Sequence, residues 1–353
     1  MSIILKGNNI SSSNNKGIGP GEVTNIKASQ NASSIILSWT NPSNVVIDGT
    51  TLSTFDHVII VRNESRYPTS IKDGNTIYSG NGTTCSDSDV IKNKKYYYRF
   101  FAYDTNKLCN NNINMIVENT FYGIDSILKN NTWEQINTAS EAGIASSIWK
   151  VGDEIDLTLS GTFNETITLQ IWDFNHFDKS DGGGKAGIVF GMKNLMKDGQ
   201  YMNSSHTNSG GWNNTAMKKT VMVNIYNSIP SDLQSYIKEV NTYANRGLGS
   251  SSSSTGLLSK DKVFLPGMTE MFGKNYKPDQ SETEKNQKKF PIFTNDNSRI
   301  KKMNNGSGDA YQWWLRSAIC GNNSDCFCDV TIYGTHDYTG ASYGYGVCFC
   351  FNV

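Results

Sequence analysis

The chain has 353 residues, of which 18% are charged and 37% hydrophobic, a globular composition long enough for two ordinary domains. Its 32 basic and 32 acidic residues cancel, and no Lys/Arg block forms a phosphate-binding stripe, which argues against a nucleic-acid partner. No apolar run reaches membrane-spanning length, and "MSIILKGNNISSSNNKG" lacks the apolar core of a signal peptide, so no membrane insertion and synthesis in a cytoplasm are expected.

Residues 1–19 are Asn/Ser/Gly-rich, close on "GIGPG", and are expected to form an arm or linker. A first domain over 20–117 follows, in which Ile35, Leu37 and Trp39 alternate in "SIILSWTNP", "FDHVIIVRN" is a second apolar run, and Tyr96, Tyr98, Phe100 and Ala102 share one face of "KYYYRFFAYD". Short strands separated by Gly/Asn/Asp turns predict an all-β sandwich. From about Pro20 to Asn114 these residues resemble the fibronectin type III family, with "PGEVTNIKAS" before the first strand, Trp39 as the buried tryptophan and Tyr96 at the tyrosine corner. The resemblance implies an Ig-like module that spaces or presents, since fold alone names no function.

A second domain is expected over 118–353. "TWEQINTASEAGIASSIW" predicts one helix with Trp133, Ile136, Ser140 and Gly143 along a side, and "DLTLSGTFNETITLQIWDF" a strand pair turning at Asn164. Met217, Val221 and Ile225 lie at helical spacing, and Pro230 opens a further helix carrying Leu233, Ile237 and Val240. "GLGSSSSSTG" reads as a flexible loop and "KNYKPDQSETEKNQKKF" as a solvated, charged insertion. The domain is expected to be α+β, helices first and short strands last.

Motifs for chemistry are weak throughout. "DFNHFDKSDGGGK" gathers Asp173, Asn175, Asp178 and Asp181, but Gly184 stands where an EF-hand loop needs its twelfth-position Glu, and His176 has no second histidine at ligand spacing. Cys326/Cys328 and Cys348/Cys350 could face one way on strands, yet structural zinc prefers wider loops, so the seven cysteines are expected as free thiols. "GGGK" lacks the P-loop's glycine spacing and its Ser/Thr. "GASYG" around Ser342 has no room for a following helix, and four histidines without an HExxH supply no general-base set. No metal, cofactor or catalytic residues are expected. Trp212, after Gly210 and Gly211, is expected as a scaffold anchor.

From Ala318 to Val353 there is no Met, Trp, Lys, Glu or Gln, although these five make up about one residue in five before it. None of the five can be encoded by a codon ending in C. The types that remain are all reachable from an AAC asparagine codon whose adenines are replaced at random, which points to adenine-specific mutagenesis. The absence of Leu, Pro and Arg lies outside that explanation.

With "WKVGDE" at 149–154, "GGGKAGIVFGMKNLM" at 182–196, "MNSSHTNSGGW" at 202–212, "IPSDLQSYIKEV" at 229–240, "KVFLPGMTEMFG" at 262–273 and "WWLRS" at 313–317, the region from about residue 120 resembles the C-type lectin-fold variable proteins of diversity-generating retroelements, in the branch of phages and prophages of gut Firmicutes. The ending "CFCFNV" departs from that pattern. The resemblance implies a fixed frame presenting a diversified tail, 318–353, for binding without catalysis.

Trp313, Trp314 and Leu315 are then expected in the core, with Arg316 on a carboxylate or carbonyl. The exchangeable, ligand-facing set begins with Ile319, Cys320, Asn322, Asn323, Asp325, Cys326, Cys328 and Asp329. It continues with Thr331, Ile332, Tyr333, Thr335, Asp337, Tyr338 and Thr339, and ends with Ser342, Tyr343 and Tyr345, a paratope-like mixture of tyrosines and small polar residues. Phe327, Val330 and Val347 are expected to point inward. The expected role is a phage or prophage tail-associated receptor-binding protein, carried on the virion and made in the host cytoplasm. Its partners would be a host-surface protein or glycan and other tail proteins, with a homotrimer as the oligomer suggested by tail attachment. The alternatives are a bacterial surface adhesin or secreted interaction protein of the same fold, and an enzyme of the formylglycine-generating type.

Overall fold

The computed structural model describes residues 17–248, 256–273, 284, 286–320 and 325–353. Most of the expected N-terminal arm, of the serine-rich loop and of the charged insertion, as well as Asn322 and Asn323, lies outside the described residues. The chain divides into two compact units, one ending at Asp125 and the other running from Ser126 to Val353.

Ten strands build the first unit: β1 (Thr24–Gln30), β2 (Ile35–Thr40), β3 (Val45–Ile47), β4 (Thr50–Ser53), β5 (Phe55–Asn63), β6 (Asn75–Gly80), β7 (Thr84–Asp87), β8 (Lys94–Asp104), β9 (Cys109–Asn110) and β10 (Ile116–Phe121). One antiparallel sheet has the order β1-β2-β7, the other β10-β8-β5-β6 with β9 on the edge of β8. Alternate residues of each strand face one way. Ile35, Leu37 and Trp39 of β2 therefore meet Val58 and Ile60 of β5 and Tyr96, Tyr98 and Phe100 of β8 in a single core between the sheets. Trp39 packs edge-on against Tyr78 and Phe100, with ring centroids 5.1 and 5.5 Å away. The buried Tyr96 hydroxyl accepts the Ile91 N–H at 2.8 Å, tying the loop before β8 to the strand. The expected boundary after residue 117 is corrected: β10 pairs with β8 from Ile116 to Phe121, so a cut at 117 would split a strand.

The second unit begins with α1 (Trp133–Glu141) and α2 (Ala145–Ile148), followed by β11 (Glu154–Thr158), β12 (Thr166–Phe174) and β13 (Ile188–Met192). A π-helical turn over Met217–Met222 leads into α3 (Val223–Ser228), and α4 (Ser231–Gln234), β14 (Val240–Ala244), β15 (Leu257–Asp261), β16 (Val263–Phe264) and α5 (Met268–Phe272) come next. The chain closes with β17 (Trp313–Ala318), β18 (Cys326–Val330), β19 (His336–Gly340) and β20 (Cys350–Asn352). The main sheet has the order β11-β12-β13-β20-β16, so the last strand of the chain is inserted between two earlier ones. β17-β18-β19 form a separate antiparallel sheet and β14-β15 a hairpin pair.

Three expectations change here. The single helix over the "TWEQ…SSIW" stretch is two, because Gly143 at φ +69° turns the chain after α1; α1 itself is fixed at its start by a capping box between Thr132 and Gln135. The helix after Pro230 stops at Gln234, and Val240 instead opens β14 opposite Asp261. Leu233, Ile237 and Val240 are all buried, so their spacing marks core without marking helix. Strands also run through the whole unit rather than closing it, which makes the unit β-rich with short helices.

Candidate functional site

The tail is held by its backbone. Asn208, fully buried, donates from Nδ2 to the Ile319 and Cys326 carbonyls at 3.0 and 2.9 Å, and its Oδ1 accepts the Leu248 N–H at 2.8 Å. Asn245 donates to the Ala318 carbonyl at 2.8 Å, and Arg299 Nε to that of Gly334 at 2.9 Å. Main-chain N–H groups of Met196, Gln200, Asn203 and Trp314 donate to the carbonyls of Val347, Tyr345, Ala341 and Gly346 at 2.8–3.1 Å. Two glycines make the approach possible. At Gly211 (φ +57°) a Cβ would sit 2.0 Å from the Asn245 carbonyl oxygen, and at Gly334 (φ +77°) it would sit 1.9 Å from that of Asp296.

Beneath this, the "WWLRS" stretch lies in β17, buried on both faces. Trp313 and Trp314 donate their indole N–H groups to the Arg299 and Gln200 carbonyls at 3.1 and 2.9 Å, and Trp212, also buried, donates to Asp261 at 3.2 Å. Arg316 is fully buried against Glu270 through both terminal nitrogens, with one contact at 2.8 Å, and it also reaches the Leu265 and Tyr243 carbonyls and Gln287. Glu270 in turn accepts the Gly267 N–H at the start of α5, so a single cation joins β17, α5 and β14. A second buried carboxyl, Glu284, accepts from Ser317 and from the Asn245 N–H. Burial pushes its pKa up to about 7 against the pull of Ser317 and Arg316, with Glu270 adding to the rise.

The expected ligand-facing residues divide by exposure. Ile332, Tyr333, Asp337, Tyr338 and Tyr343 are exposed, Tyr333 at 72% and Tyr343 at 55%. Asp325, Cys326, Thr331, Thr335, Thr339, Ser342 and Tyr345 are half-buried. Ile319, Cys320, Cys328 and Asp329 are buried, which corrects their assignment to the surface. Cys328 and Asp329 are neighbours on β18 and point to opposite faces of its sheet, and both faces are covered at this point. Asp329 accepts from Thr339 at 2.8 Å, and the Ile319 N–H closes on the Cys326 carbonyl. Phe327, Val330 and Val347 are buried.

Residues outside the tail border this face and were not singled out by sequence reasoning as binding residues. Tyr311 donates its hydroxyl to the Gly344 carbonyl at 3.4 Å with its ring 6.4 Å from Tyr345, which is tilted over Trp314 at 4.9 Å. His206 lies 6.3 Å from the Tyr343 ring, and exposed Tyr201 adjoins Gly344. The only available signal was that His206 and Asn208 fall inside "MNSSHTNSGGW", a stretch rich in side chains that bond to backbone.

The tail brings Ser342, His206 and Asp325 together without forming a proton relay. Ser342 Oγ lies 2.9 Å from one ring nitrogen of His206 and 3.2 Å from the other, off the edge of the ring between them, and Asp325 stops 3.9 Å short. Burial, followed by Asp325, Asp329 and Asp337, pushes Cys326 up to about 12, and burial pushes Cys348 up to about 11 and Cys350 well above its ordinary value. The seven cysteines stand outside any disulfide. The acidic loop does not converge on a cation: Asp173 pairs with His176 and Lys288, Asp178 with Lys185, and Asp181 accepts the Gly183 N–H, and no group of three metal-ligating side chains occurs among the described residues.

Replacing Asn208 by Ala should take its amide donor from the Ile319 carbonyl, while the Cys326 carbonyl keeps the Ile319 N–H, and cost about 1–3 kcal/mol. Urea unfolding should show a lower midpoint with an unchanged slope; a change below about 0.5 kcal/mol, the size of an ordinary surface substitution, would refute the clamp. Glu284 sets a pH dependence. Its folded pKa lies above the unfolded value of about 4.3, so its contribution is fully present below that value and is lost as pH rises toward about 7. Denaturation midpoints of the second unit should fall across that window, and Glu284→Gln should remove the fall.

A domain family of unknown function, DUF6273, matches residues 187–353. No curated protein matches the chain. Among solved structures, the chain is similar to the spore cortex lytic enzyme SleM of Clostridium perfringens at 14% identity and TM-score 0.21, over 30% of this chain and 29% of that one. It is also similar to the sixth fibronectin type III domain of human fibronectin type III domain containing protein 3, at 13% identity and TM-score 0.24, over 32% of this chain and 92% of that one. The chain thus spans less than a third of SleM, and at TM-scores this low neither likeness carries an argument.

Proposed function

We propose that the chain is a ligand-binding display protein without catalytic activity: a phage or prophage tail-associated receptor-binding protein whose residues 318–353 are diversified by a retroelement. In this reading the first unit is a fibronectin type III-like spacer and the second a C-type lectin-like frame. The frame offers exposed Tyr333, Tyr338 and Tyr343, beside fixed Tyr201 and Tyr311, to a host-surface protein or glycan. The observation that carries the reading is the way the tail is anchored. Asn208, Asn245, Arg299 and Gln200 bond to tail carbonyls, which every side-chain replacement except proline's ring constraint leaves in place. A segment held in this manner tolerates exchange of its outward side chains. Tyrosine supplies broad contact area at low entropic cost, and Ser, Thr, Asn and Asp supply adaptable hydrogen bonds. Display of several copies on one particle would raise weak single contacts to useful avidity.

Sequencing the locus around the gene tests this directly. A reverse transcriptase is expected nearby, with a template repeat that differs from the tail's coding sequence at adenines alone. Mismatches spread evenly over all four bases, or a locus without a template, would refute the diversification.

A further inference from the structure

The segment joining β12 to β13 runs beside β14, with Asn241 N–H donating to the Asp178 carbonyl and Ser180 N–H to that of Glu239, both at 2.9 Å. Along β14 the residues Val240, Thr242 and Ala244 are buried in the core, so Asn241 and Tyr243 turn to the other side. There they line a cavity of about 420 Å³ together with His176, Phe177, Gln287 and Lys288. That volume lies within the range of small-molecule sites. The acidic-loop motif is therefore the wall of a pocket rather than a cation cage.

Two polar atoms in this wall have no hydrogen-bond partner among the described residues. His176, 8% exposed, is stacked on Phe290 at 4.2 Å and packed against Phe177. Its Nδ1 lies 2.8 Å from Asp173 Oδ2, which also takes Lys288 Nζ at 2.6 Å. Burial alone would raise the Asp173 pKa, but His176, Lys288 and the Phe174 N–H hold it below the ordinary carboxylate value. An ionised carboxylate only accepts, so Nδ1 points a proton at it and Nε2 is the ring's remaining polar atom. That Nε2 is buried and has no partner among the described residues. Asn241 Oδ1 is buried and without a partner among them as well, while its Nδ2 makes a long 3.5 Å contact to the Lys179 carbonyl. Native proteins rarely leave such groups unmet.

The charges around the cavity are already matched. Lys288 pairs with Asp173, and Lys185 with Asp178 at 2.8 Å. A charged ligand would find no free counter-charge among these four, whereas a neutral one bearing hydroxyls, which both donate and accept, would satisfy both orphan atoms and lay its C–H faces against Tyr243 and Phe177. We propose that this cavity binds a neutral, hydroxyl-rich small molecule, a pyranose sugar unit or related polyol, with two of its hydroxyls hydrogen-bonded to His176 Nε2 and Asn241 Oδ1. The site is built from residues outside the tail and stands independently of the display role.

The chain holds only four histidines, so ¹⁵N-histidine labelling of the full protein gives few signals, and His176→Phe assigns the one that matters. Titration with D-glucose, N-acetyl-D-glucosamine and myo-inositol should move the His176 Nε2 resonance saturably for at least one of the three, while ethylammonium and acetate leave it in place. Asn241→Leu should weaken that binding at least tenfold, and Asn241→Asp, which keeps an acceptor at the position, should retain it, both with wild-type melting. If none of the polyols moves the resonance, if ethylammonium or acetate moves it as far, or if Asn241→Leu binds as wild type, the proposal is overturned. Should Asn241→Leu fail to fold, the wild-type comparison of polyols against the two ions decides alone.

Discussion

The second unit depends on one constraint: its frame holds the C-terminal tail through main-chain carbonyls. Backbone acceptors are obligatory and identical at every residue, so a clamp that reads them is indifferent to the side chains they carry. Asn208 and Asn245 do this at the start of the tail, Arg299 at the β18–β19 turn, and Gln200 and Met196 along its return. The clamps need close approach, and Gly211 and Gly334 allow it where any Cβ would collide with a carbonyl oxygen. Glycine at these positions thus connects sequence to packing, and packing to a face whose chemistry can change without changing its shape.

What keeps the clamps in position is the buried Arg316 pair with Glu270. A guanidinium removed from water is stabilised only if its donors are matched, and here they meet a carboxylate, two carbonyls and Gln287. The arrangement fixes β17, from which the tail departs, relative to α5 and β14. The price is a second carboxyl, Glu284, whose burial raises its pKa into the neutral range, so rigidity at the root of the tail is coupled to pH. The indole N–H groups of Trp313 and Trp314 meet carbonyls from two other segments, which makes the base of the face a fully bonded polar layer within an aromatic core.

Much of the first unit was legible in sequence, because period-two alternation in "SIILSW" and "KYYYRFFA" maps directly onto the inner faces of two sheets. In the second unit periodicity found the core but misread the backbone: Leu233, Ile237 and Val240 are buried at helical spacing while the chain passes from helix to strand. Tertiary pairing with Asp261 decided that, and no local pattern carries it. The composition of the tail singled out a segment but not the depth of its residues. Composition does not tell which faces of β18 are covered, so Cys328 and Asp329 were placed outside although the structure buries both. The Asn208 and Asn245 clamps join residues 73 to 118 positions apart and the His176 cavity gathers residues from 175 to 288, and lone Asn and His residues give no signal of such meetings.

The most direct measurement is the unfolding free energy of a variant in which Ile332, Tyr333, Asp337, Tyr338 and Tyr343 are all exchanged for serine or asparagine. If the tail is held by its backbone, the loss should stay within about 0.5 kcal/mol per exchanged site, as for surface positions that support nothing. A cooperative loss of the size caused by emptying a core position, about 3–5 kcal/mol for each aromatic removed, would contradict it.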